Sequence, residues 1–537
     1  MKNFYKSLFS VTVFFCFLQV LPAQEINKLP RSTPEQEGVS SSGILDFLNA
    51  VDTSKVEIHS FMFLRHGKVI AEGWWQPHDP DYKHILFSAS KTFTATAVGL
   101  AVSEKRLKVT DKVISFFPYS LPDTMSEFIK ELTVKDLLTM SVGQDPEPSA
   151  MGTRGDWITK FLGTAPIHKP GTVFKYNNMA TFMLSAIVQQ VTGETIFNYL
   201  MPRIFKPLGI RGIDWDLNPQ GINLGMIGLR LHSEDLAKFG QLLLNGGVWN
   251  KKQLIPKEWI DEATSFHIKN SNDPEEKRKL NDWGQGYAYQ MWRGRNNTVR
   301  LDGLGGQFVV LIPDKDAIVV FTANASNTQK ELNLIHDFLI PAIKPDKALA
   351  AAPAQQEEIR KRTSALNLSA GVATSSKTNM EAKITGKEFM LTNNDHNIQS
   401  VYFSFNNGVC TFSIKRDNIV SSVRAGLNEW IISNTLSSSL LAPPRTNVSK
   451  SVDANYSVLQ PVIKLGSQYS WTEEKTLEIS GRFVEETLGQ ETIVCKFTEQ
   501  NNEVRLTIEP KANPSASGRG FGNQQPIVLR GVMVRIQ

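Results

Sequence analysis

The pattern of apolar and polar positions divides the chain into two parts. From about residue 30 to 341, apolar residues recur with both the strand period of two and the helix period of three to four, so strands and helices intermix. From about residue 366 the pattern becomes short alternating runs separated by Asn, Gly, Ser and Pro, which is typical of an all-β barrel or sandwich. With 537 residues the chain is too long for one ordinary core, so two domains are expected.

Several elements of the first part are clear from the pattern. Residues 60–65 and 68–75 flank the turn His66-Gly67 and predict a β-hairpin. Helices are predicted over 88–102, 133–140 (with Thr133 as N-cap), 178–191 and 233–244, and paired strands over 306–312 and 317–322. The intermixed order predicts an α/β (α+β) domain over residues 24–343.

The second part begins after a change in composition. Residues 344–365 mix Ala-rich and Glu/Lys/Arg-rich stretches, which favours a linker with one solvated helix. Strands are then predicted at 389–391, 400–405, 409–414, 430–432, 476–483, 492–497 and 504–508. Residues 366–537 are therefore expected to form a separate C-terminal β-barrel-like domain.

The first residues determine the expected compartment. Lys2 and Lys6 precede an apolar run over 8–21, and Ala23 offers a small residue for cleavage. The run is too short for a comfortable membrane span, so residues 1–23 are predicted to be a secretory signal peptide. No later segment approaches 18 apolar residues. We expect an exported protein of the periplasm or extracellular space, without a membrane span.

Charge, cysteines and histidines exclude several classes of function. The formal net charge is +5 with no basic tract, so nucleic-acid binding is not expected. Outside the predicted signal peptide, Cys410 and Cys495 remain, either as two buried thiols or as one disulfide. The nine histidines are scattered and no H-E-x-x-H is present, so neither a metal nor another cofactor is expected.

Ser88 and Lys91 form an S-x-x-K pair at the start of a predicted helix. At this spacing both side chains lie on one face, one turn apart, so the amine can reach the hydroxyl. A serine needs a base to act as a nucleophile, and burial at a helix N-terminus lowers the pKa of a lysine. Alone, the pair is a weak signal, because such pairs arise by chance, and an ordinary helix start with a solvated lysine is the simpler interpretation.

Several segments in order resemble class C β-lactamase-like and penicillin-binding-protein-like serine hydrolases. They are HILFSASKTFT at 84–94, TVKDLLTMSVG at 133–143, PGTVFKYNN at 170–178, FKPLGI at 205–210 and DWGQGYAYQMW at 282–292. The resemblance covers roughly residues 30–325. It implies a mixed antiparallel sheet flanked by helices, with the site between the sheet edge and the helices. The C-terminal part is similar to lipocalin-like domains appended to some relatives.

The resemblance also implies roles for individual residues. Ser88 would be the acylated nucleophile, Lys91 would assist its deprotonation, and Tyr176 would relay the proton as a phenol or phenolate. Asn178 would help to hold the bound acyl group, although it is also a plausible helix N-cap. Tyr176 could instead be a core aromatic residue.

The third family element departs from the β-lactamase pattern. Where that family has Lys-Thr-Gly, this chain has Leu301-Asp302-Gly303, so the usual cation for a β-lactam carboxylate is missing. Gly303 is expected to allow close approach of the substrate. Asp302 is either a site residue or a turn residue before Gly303. The backbone N–H groups of Ser88 and Leu304 are the expected oxyanion hole.

These observations predict a serine hydrolase that cleaves a small-molecule or short peptide-like ester or amide through an acyl-enzyme. D-amino-acid peptidase or weak β-lactamase activity is an alternative, since the residues do not specify the substrate. A non-catalytic binding or sensor protein is the alternative from another class. Oligomeric state is not predicted.

Overall fold

The computed structural model describes residues 28–151, 153–345, 347–368, 378–437, 439–443, 449–452, 462–486, 488–501, 503–511 and 528–534. The predicted signal peptide at 1–23 lies outside these residues. Within these ranges, no helix combines the length and the apolar character needed to cross a membrane.

The first domain alternates helices and strands as predicted. Its α-helices are α1 (Ser41–Ser54), α2 (Ser90–Ser103), α3 (Glu127–Glu131), α4 (Val134–Leu138), α5 (Trp157–Gly163), α6 (Asn178–Thr192), α7 (Ile196–Leu200), α8 (Ser233–Leu244), α9 (Lys257–Thr264), α10 (Glu275–Arg278), α11 (Thr328–Leu334), α12 (Ile340–Ala342) and α13 (Pro353–Ser364). Its strands are β1 (Ile58–Arg65), β2 (Lys68–Trp74), β3 (His84–Ile85), β4 (Asp214–Asp216), β5 (Leu229–Leu231), β6 (Val248–Trp249), β7 (Lys252–Gln253), β8 (Trp292–Arg293), β9 (Val299–Gly303), β10 (Gln307–Ile312) and β11 (Ala317–Ala323).

The main sheet of this domain is antiparallel, in the order β2-β1-β11-β10-β9-β8. Successive residues of β1 face opposite sides, so Met62 and Leu64 join one apolar core while Phe61 and Phe63 join another. The first core includes residues of α2, α6 and α8, and the second includes residues of α1 and α11. The sheet is therefore covered on both faces, and the expected mixed sheet flanked by helices is confirmed.

Local signals in the sequence place the helix ends correctly. Thr133 caps α4 through a reciprocal capping box with Asp136. Gly193 ends α6 with φ 75°, a conformation that glycine adopts without strain. The helix predicted from residue 88 begins as a 3₁₀ turn, Phe87–Ala89, which continues into α2.

The C-terminal domain is a closed β-barrel. It contains α14 (Met380–Ile384) and strands β12 (Lys387–Leu391), β13 (Ser400–Asn406), β14 (Val409–Arg416), β15 (Ile419–Leu427), β16 (Ile431–Thr435), β17 (Lys450–Val452), β18 (Ile463–Glu473), β19 (Thr476–Phe483), β20 (Glu491–Gln500), β21 (Glu503–Pro510) and β22 (Leu529–Met533). Nine of the described strands form the ring β15-β14-β13-β12-β22-β21-β20-β19-β18, which a parallel β15–β18 pairing closes. Lipocalin barrels have eight strands, so the ring of described strands in this domain has one strand more than the lipocalin-like barrel that the resemblance implies. Cys410 and Cys495 are buried in the barrel core as free thiols.

The segment predicted to be a linker contains the expected helix, but that helix is attached to the first domain. Most side chains of α13 are exposed, whereas Ile359 is buried in the core that includes α1. Arg362 donates hydrogen bonds to Asn49 (2.6 Å) and Asp52 (2.6 Å) of α1. The expectation of a freely exposed connector is thus wrong for α13, because one face of the helix has apolar and ionic partners. The domain boundary itself stays a prediction.

Contacts also join the barrel to the first domain. Strand β17 pairs antiparallel with β4 of the first domain. Arg230 forms ion pairs with Glu486 of the barrel (2.7 Å) and with Asp214 (2.8 Å). Arg482 of the barrel forms an ion pair with Glu57 (2.9 Å). The two domains therefore share a polar junction built largely from charged side chains.

Candidate active site

Ser88 and Lys91 lie where the 3₁₀ turn passes into α2. The helical spacing predicted from the sequence brings Lys91 Nζ to 3.1 Å from Ser88 Oγ. Ser88 is half-buried, and Lys91 is fully buried between α2 and its neighbours. The pair is therefore in contact, with the hydroxyl on the more accessible side.

Two further hydrogen bonds bear on the protonation state of Lys91. Its Nζ donates to Asn178 Oδ1 (2.9 Å) and to the Met226 carbonyl (3.1 Å). Both of these oxygens are acceptors only, so they use the two N–H groups of a neutral amine and leave its lone pair for the Ser88 O–H. Loss of hydration lowers the pKa of Lys91 to about 7, although Glu147 and Asp302 act in the opposite direction. A large fraction of the amine is thus neutral near pH 7.

Tyr176 precedes α6 and completes the group around Ser88. Its hydroxyl is hydrogen-bonded to Ser88. Its ring lies below Lys91 Nζ, 4.8 Å from the ring centroid, and stacks on Trp292 with centroids 5.9 Å apart. Loss of hydration raises the pKa of Tyr176, and the carboxylates of Asp302 and Glu147 add to this effect. The structure therefore favours the neutral phenol over the phenolate.

Asn178 is not the N-cap of α6. The side chain of Asn177 occupies that position and accepts a hydrogen bond from the Ala180 backbone N–H (2.9 Å). Asn178 is free to contact Lys91 with its oxygen and Glu147 with its amide nitrogen (3.0 Å to Oε1). The N-cap alternative is wrong, and Asn178 belongs to the group around Lys91.

Asp302 lies within strand β9 and not in a turn, which corrects the second alternative. It accepts a hydrogen bond from Arg300 Nε (2.9 Å) and another from the Trp283 side chain. Loss of hydration raises the pKa of Asp302, while the positive charges of Arg300 and Lys91 oppose the rise. Its electrostatic coupling to Lys91 places it beside the candidate nucleophile.

Gly303 has a physical role within the protein itself. A Cβ at this position would lie 2.2 Å from the Leu86 carbonyl oxygen, so the backbone of β9 approaches the chain just before Ser88. Glycine is therefore required by this protein contact, and close approach of a substrate to Gly303 stays a prediction. The Leu304 carbonyl accepts a hydrogen bond from Gln307 Nε2 (2.9 Å), which stabilises the following turn. The oxyanion hole formed by Ser88 and Leu304 stays a prediction.

Leu301, which takes the place of the missing cation, and its neighbour Arg300 have separate environments. Leu301 is fully buried in the apolar core next to the sheet. Arg300 points to the other side, where it pairs with Asp302 and lies over Trp283, 4.6 Å from the ring centroid. Its charge is thus already neutralised by Asp302. Trp283, which donates to Asp302, and Trp292, which stacks on Tyr176, both border the site.

Two acidic residues at the site have no recognisable signal in the sequence. Glu147 lies in the loop after α4 and accepts hydrogen bonds from the backbone and side chain of Asn178. Glu331 of α11 is fully buried, and its carboxyl oxygens would occupy the position of a Cβ on Gly306. Loss of hydration and the nearby Asp302 raise the pKa of Glu331, so this carboxyl is neutral. Only the fold brings Glu147 to Asn178 and Glu331 to the turn at Gly306.

The histidines are not all scattered, as the sequence had suggested. His59, His78 and His84 lie together and are buried. Their ring nitrogens form a group separate from the contacts of Ser88, Lys91 and Tyr176 described above.

Comparisons with known proteins match the first domain. The family model described as Beta-lactamase matches residues 55–340, which is slightly more than half of the chain. The chain is 23% identical over 326 residues to the 6-aminohexanoate-dimer hydrolase of Paenarthrobacter ureafaciens, covering 56% of this chain and 82% of the relative. The segment matched by the family model contains Ser88, Lys91, Tyr176 and β9.

Two solved structures illustrate the range of structural similarity. An octameric penicillin-binding protein homologue from Pyrococcus abyssi is 16% identical with a TM-score of 0.44, and the match covers 91% of this chain and 99% of that chain. A penicillin-binding protein homologue from Caulobacter crescentus is 16% identical with a TM-score of 0.41, and the match covers 53% of this chain and 91% of that chain.

Proposed function

The chain belongs to the Beta-lactamase family, and from this premise we propose that it is an exported enzyme that cleaves an ester or amide bond through an acyl-enzyme on Ser88. One observation carries the proposal. Lys91 Nζ lies 3.1 Å from Ser88 Oγ, and in the neutral amine the hydrogen bonds to Asn178 and Met226 take up both N–H groups, so that the lone pair is available to the hydroxyl proton. A lysine held in this way is suited to act as a base.

In the proposed acylation step, Ser88 Oγ attacks the substrate carbonyl while its proton moves to Lys91. The negative charge that develops on the carbonyl oxygen is stabilised by the backbone N–H groups of Ser88 and Leu304. The Tyr176 hydroxyl donates a proton to the leaving alcohol or amine as the carbonyl–heteroatom bond breaks, and the proton on Lys91 passes to Tyr176. Lys91 is then neutral again.

Deacylation uses the same groups in reverse. Water takes the place of the leaving group and attacks the acyl carbonyl. As it attacks, it loses a proton that reaches Lys91 through Tyr176. The bond to Ser88 Oγ breaks, the serine recovers a proton from Lys91, and the carboxylic acid is released. Each group ends the cycle in the protonation state in which it began, so neither a metal nor another cofactor is needed for the proposed steps.

The charges at the site favour a substrate that has no carboxylate group next to the bond to be cleaved. Asp302 and Glu147 contribute acidic side chains, and Arg300 is already paired with Asp302. A carboxylate placed here would meet like charge, which disfavours binding. The curated relative is named as a hydrolase of the 6-aminohexanoate dimer, an amide, and this name supports the type of bond cleaved and not the absence of a carboxylate from the substrate. We therefore propose a small or short peptide-like ester or amide. Export rests on the signal-like residues 1–23.

Labelling with a fluorophosphonate probe tests this proposal, because such probes react with activated serines. We expect the full-length protein to be labelled, Ser88→Ala to be unlabelled, and Ser115→Ala, which changes an exposed serine of another segment, to be labelled normally. Hydrolysis of a chromogenic ester should follow the same order. Absence of labelling in the unchanged protein would favour the non-catalytic binding protein instead. Undiminished turnover by Ser88→Ala would exclude Ser88 as the nucleophile.

A further inference from the structure

Three buried histidines from separate elements meet near the barrel. His59 belongs to β1, His84 to β3, and His78 to the connection between β2 and β3. One ring nitrogen from each histidine lies within 4.8 Å of the corresponding nitrogens of the other two. His59 and His78 are stacked, with ring centroids 4.0 Å apart. This group is distinct from the proposed catalytic residues.

Hydrogen bonds at the outer nitrogens fix which nitrogens face inward. His59 Nε2 lies 3.1 Å from Glu57 Oε1, and His84 Nδ1 lies 3.0 Å from the Ile85 carbonyl oxygen. Because both of these oxygens are acceptors, both outer nitrogens carry hydrogen. In a neutral imidazole the other nitrogen then carries a lone pair. His59 Nδ1 and His84 Nε2 therefore face each other as two acceptors, only 2.8 Å apart.

The third histidine adds another unused nitrogen. His78 Nε2 is buried and has no hydrogen-bond partner among the residues that the structure describes. All three histidines are buried, and the neutral imidazole is the form that binds metal ions. Two lone pairs of His59 and His84 that face each other without a hydrogen between them are unfavourable unless a cation lies between them.

We propose that His59, His78 and His84 bind a transition-metal ion, with Zn²⁺ as the first candidate. Neutral imidazoles are common ligands of Zn²⁺, at about 2.0–2.1 Å from the ion. In a tetrahedral site this places the nitrogens about 3.3 Å apart, so His59 and His84 need to separate by roughly half an ångström. A water molecule is a suitable fourth ligand.

The surroundings supply the expected second layer of a metal site. Metal-bound histidines commonly donate their other N–H to a carboxylate or a backbone carbonyl, and Glu57 and Ile85 are placed to accept these bonds. Glu57 is also paired with Arg482 of the barrel. The ion would therefore link β1 to β3, and β3 leads into the Ser88 turn. Through Glu57 the ion would also be connected to the junction between the domains. This position indicates a structural role.

A Co²⁺ titration of the full-length protein tests the site, since Co²⁺ in a tetrahedral site gives strong visible absorption. The protein is purified without a histidine tag and treated with a chelator. We expect one equivalent of Co²⁺ to bind, and one equivalent of Zn²⁺ to displace it. His78→Gln should abolish the tetrahedral spectrum, whereas His66→Gln, a half-exposed histidine in the β1–β2 turn, should bind normally. Glu57→Gln should weaken binding by about 10- to 100-fold.

The proposal can fail independently of the hydrolase assignment. If the unchanged protein binds no stoichiometric Co²⁺ or Zn²⁺, or if His78→Gln binds as well as the unchanged protein, the three histidines are only a buried core cluster. Should His78→Gln fail to fold, the unchanged protein still decides the question. Zn²⁺ must then raise its melting temperature after chelation, while Mg²⁺, which prefers oxygen ligands, must not. Equal effects of the two ions would overturn the proposal.

Discussion

Asn178 Oδ1 accepts a hydrogen bond from Lys91 Nζ over 2.9 Å, while the amide nitrogen of the same side chain donates to Glu147. The amide group thus orients the lysine and links it to a carboxylate that no sequence motif indicates. Burial lowers the pKa of Lys91, and the charges of Glu147 and Asp302 raise it, so these three effects together set the pH at which the base becomes neutral.

The first prediction concerns the pH profile of the unchanged enzyme. With the pKa of Lys91 at about 7, kcat/KM for an uncharged ester should rise about tenfold per pH unit below this value and level off above it. The sign follows because the ammonium form has no lone pair for the Ser88 proton. Lys91→Arg should abolish ester hydrolysis at every pH, since a guanidinium stays protonated and cannot act as the base. A flat profile between pH 5 and 9 would contradict the role of Lys91.

Glu147→Gln should move that profile to lower pH. Removing the carboxylate removes an interaction that favours the ammonium form, so the pKa of Lys91 falls, by up to about one unit. Glutamine is nearly isosteric and can still accept from the Asn178 amide. Glu127→Gln, on exposed α3, is the matched control and should leave the profile unchanged. A shift to higher pH, or none, would show that Glu147 does not act through Lys91.

The fold was predictable where local pattern determines it. The β1–β2 hairpin, the capping box of α4 and the Gly193 end of α6 all follow from short-range signals. Strands β15 and β18 were missed because each departs from alternating apolar and polar residues. In β15, two apolar residues (419–420) and two serines (421–422) follow one another, and β18 has the buried Ser467 where alternation calls for an apolar residue. Their place in the barrel depends on a parallel pairing between distant segments.

The site was predictable only in part, for a similar reason. The spacing of Ser88 and Lys91 within one helical turn is local, so their contact follows from the sequence. Tyr176 and Asn178 required the family resemblance, and Glu147 and Glu331 reach the site through loop and helix positions that carry no motif. The partners of Asp302 depend on the alternation of β9, which places Arg300 on the same side and Leu301 on the other.

Tyr176→Phe should separate amide from ester hydrolysis. A nitrophenolate leaves without protonation, whereas an amine leaving group must receive a proton, which the Tyr176 phenol is placed to donate. We expect kcat/KM to fall by about 10²- to 10⁴-fold for an anilide or alkyl amide, and by about tenfold or less for a nitrophenyl ester. Tyr119→Phe, at a fully exposed position, serves as the control. Equal losses on both substrates would mean that Tyr176 is needed only for packing.

Substrates with a carboxylate near the scissile bond should be poor. Lacking the cation that Leu301 replaces, the enzyme should prefer an uncharged ester over its carboxylate analogue by about 2–3 kcal/mol, a factor of roughly 30 to 150. β-Lactam turnover should be weak for the same reason. Asp302→Asn releases Arg300 from its ion pair and should reduce this preference, whereas Asp314→Asn, on the turn after β10, should not. Efficient penicillin hydrolysis at micromolar substrate would show that another cation supplies the contact.

The last prediction concerns the boundary between the two domains. A chain that ends after Leu368 keeps α13, including Ile359, and also keeps the backbone hydrogen bonds that join Gln76 to Leu366 and Leu368. A chain that ends after Lys344 loses all of these contacts. We expect the longer truncated chain to fold and to retain hydrolysis of small esters, since Ser88 and its partners lie entirely within it.

The shorter chain should be markedly less stable. Burial of an aliphatic side chain contributes about 1.5–3 kcal/mol, so loss of Ile359, Leu366 and Leu368 should lower the free energy of unfolding by about 5 kcal/mol. Much of the barrel junction is charged, and water can solvate Glu57 and Arg230 once Arg482 and Glu486 are removed. Removing the barrel should therefore lower the free energy of unfolding of the first domain less than removing α13 does. Urea unfolding and ester kcat/KM of both truncated chains measure the difference. Equal stability would mean that α13 contributes nothing to the first domain, and failure of both chains to fold would mean that the barrel is part of the catalytic core.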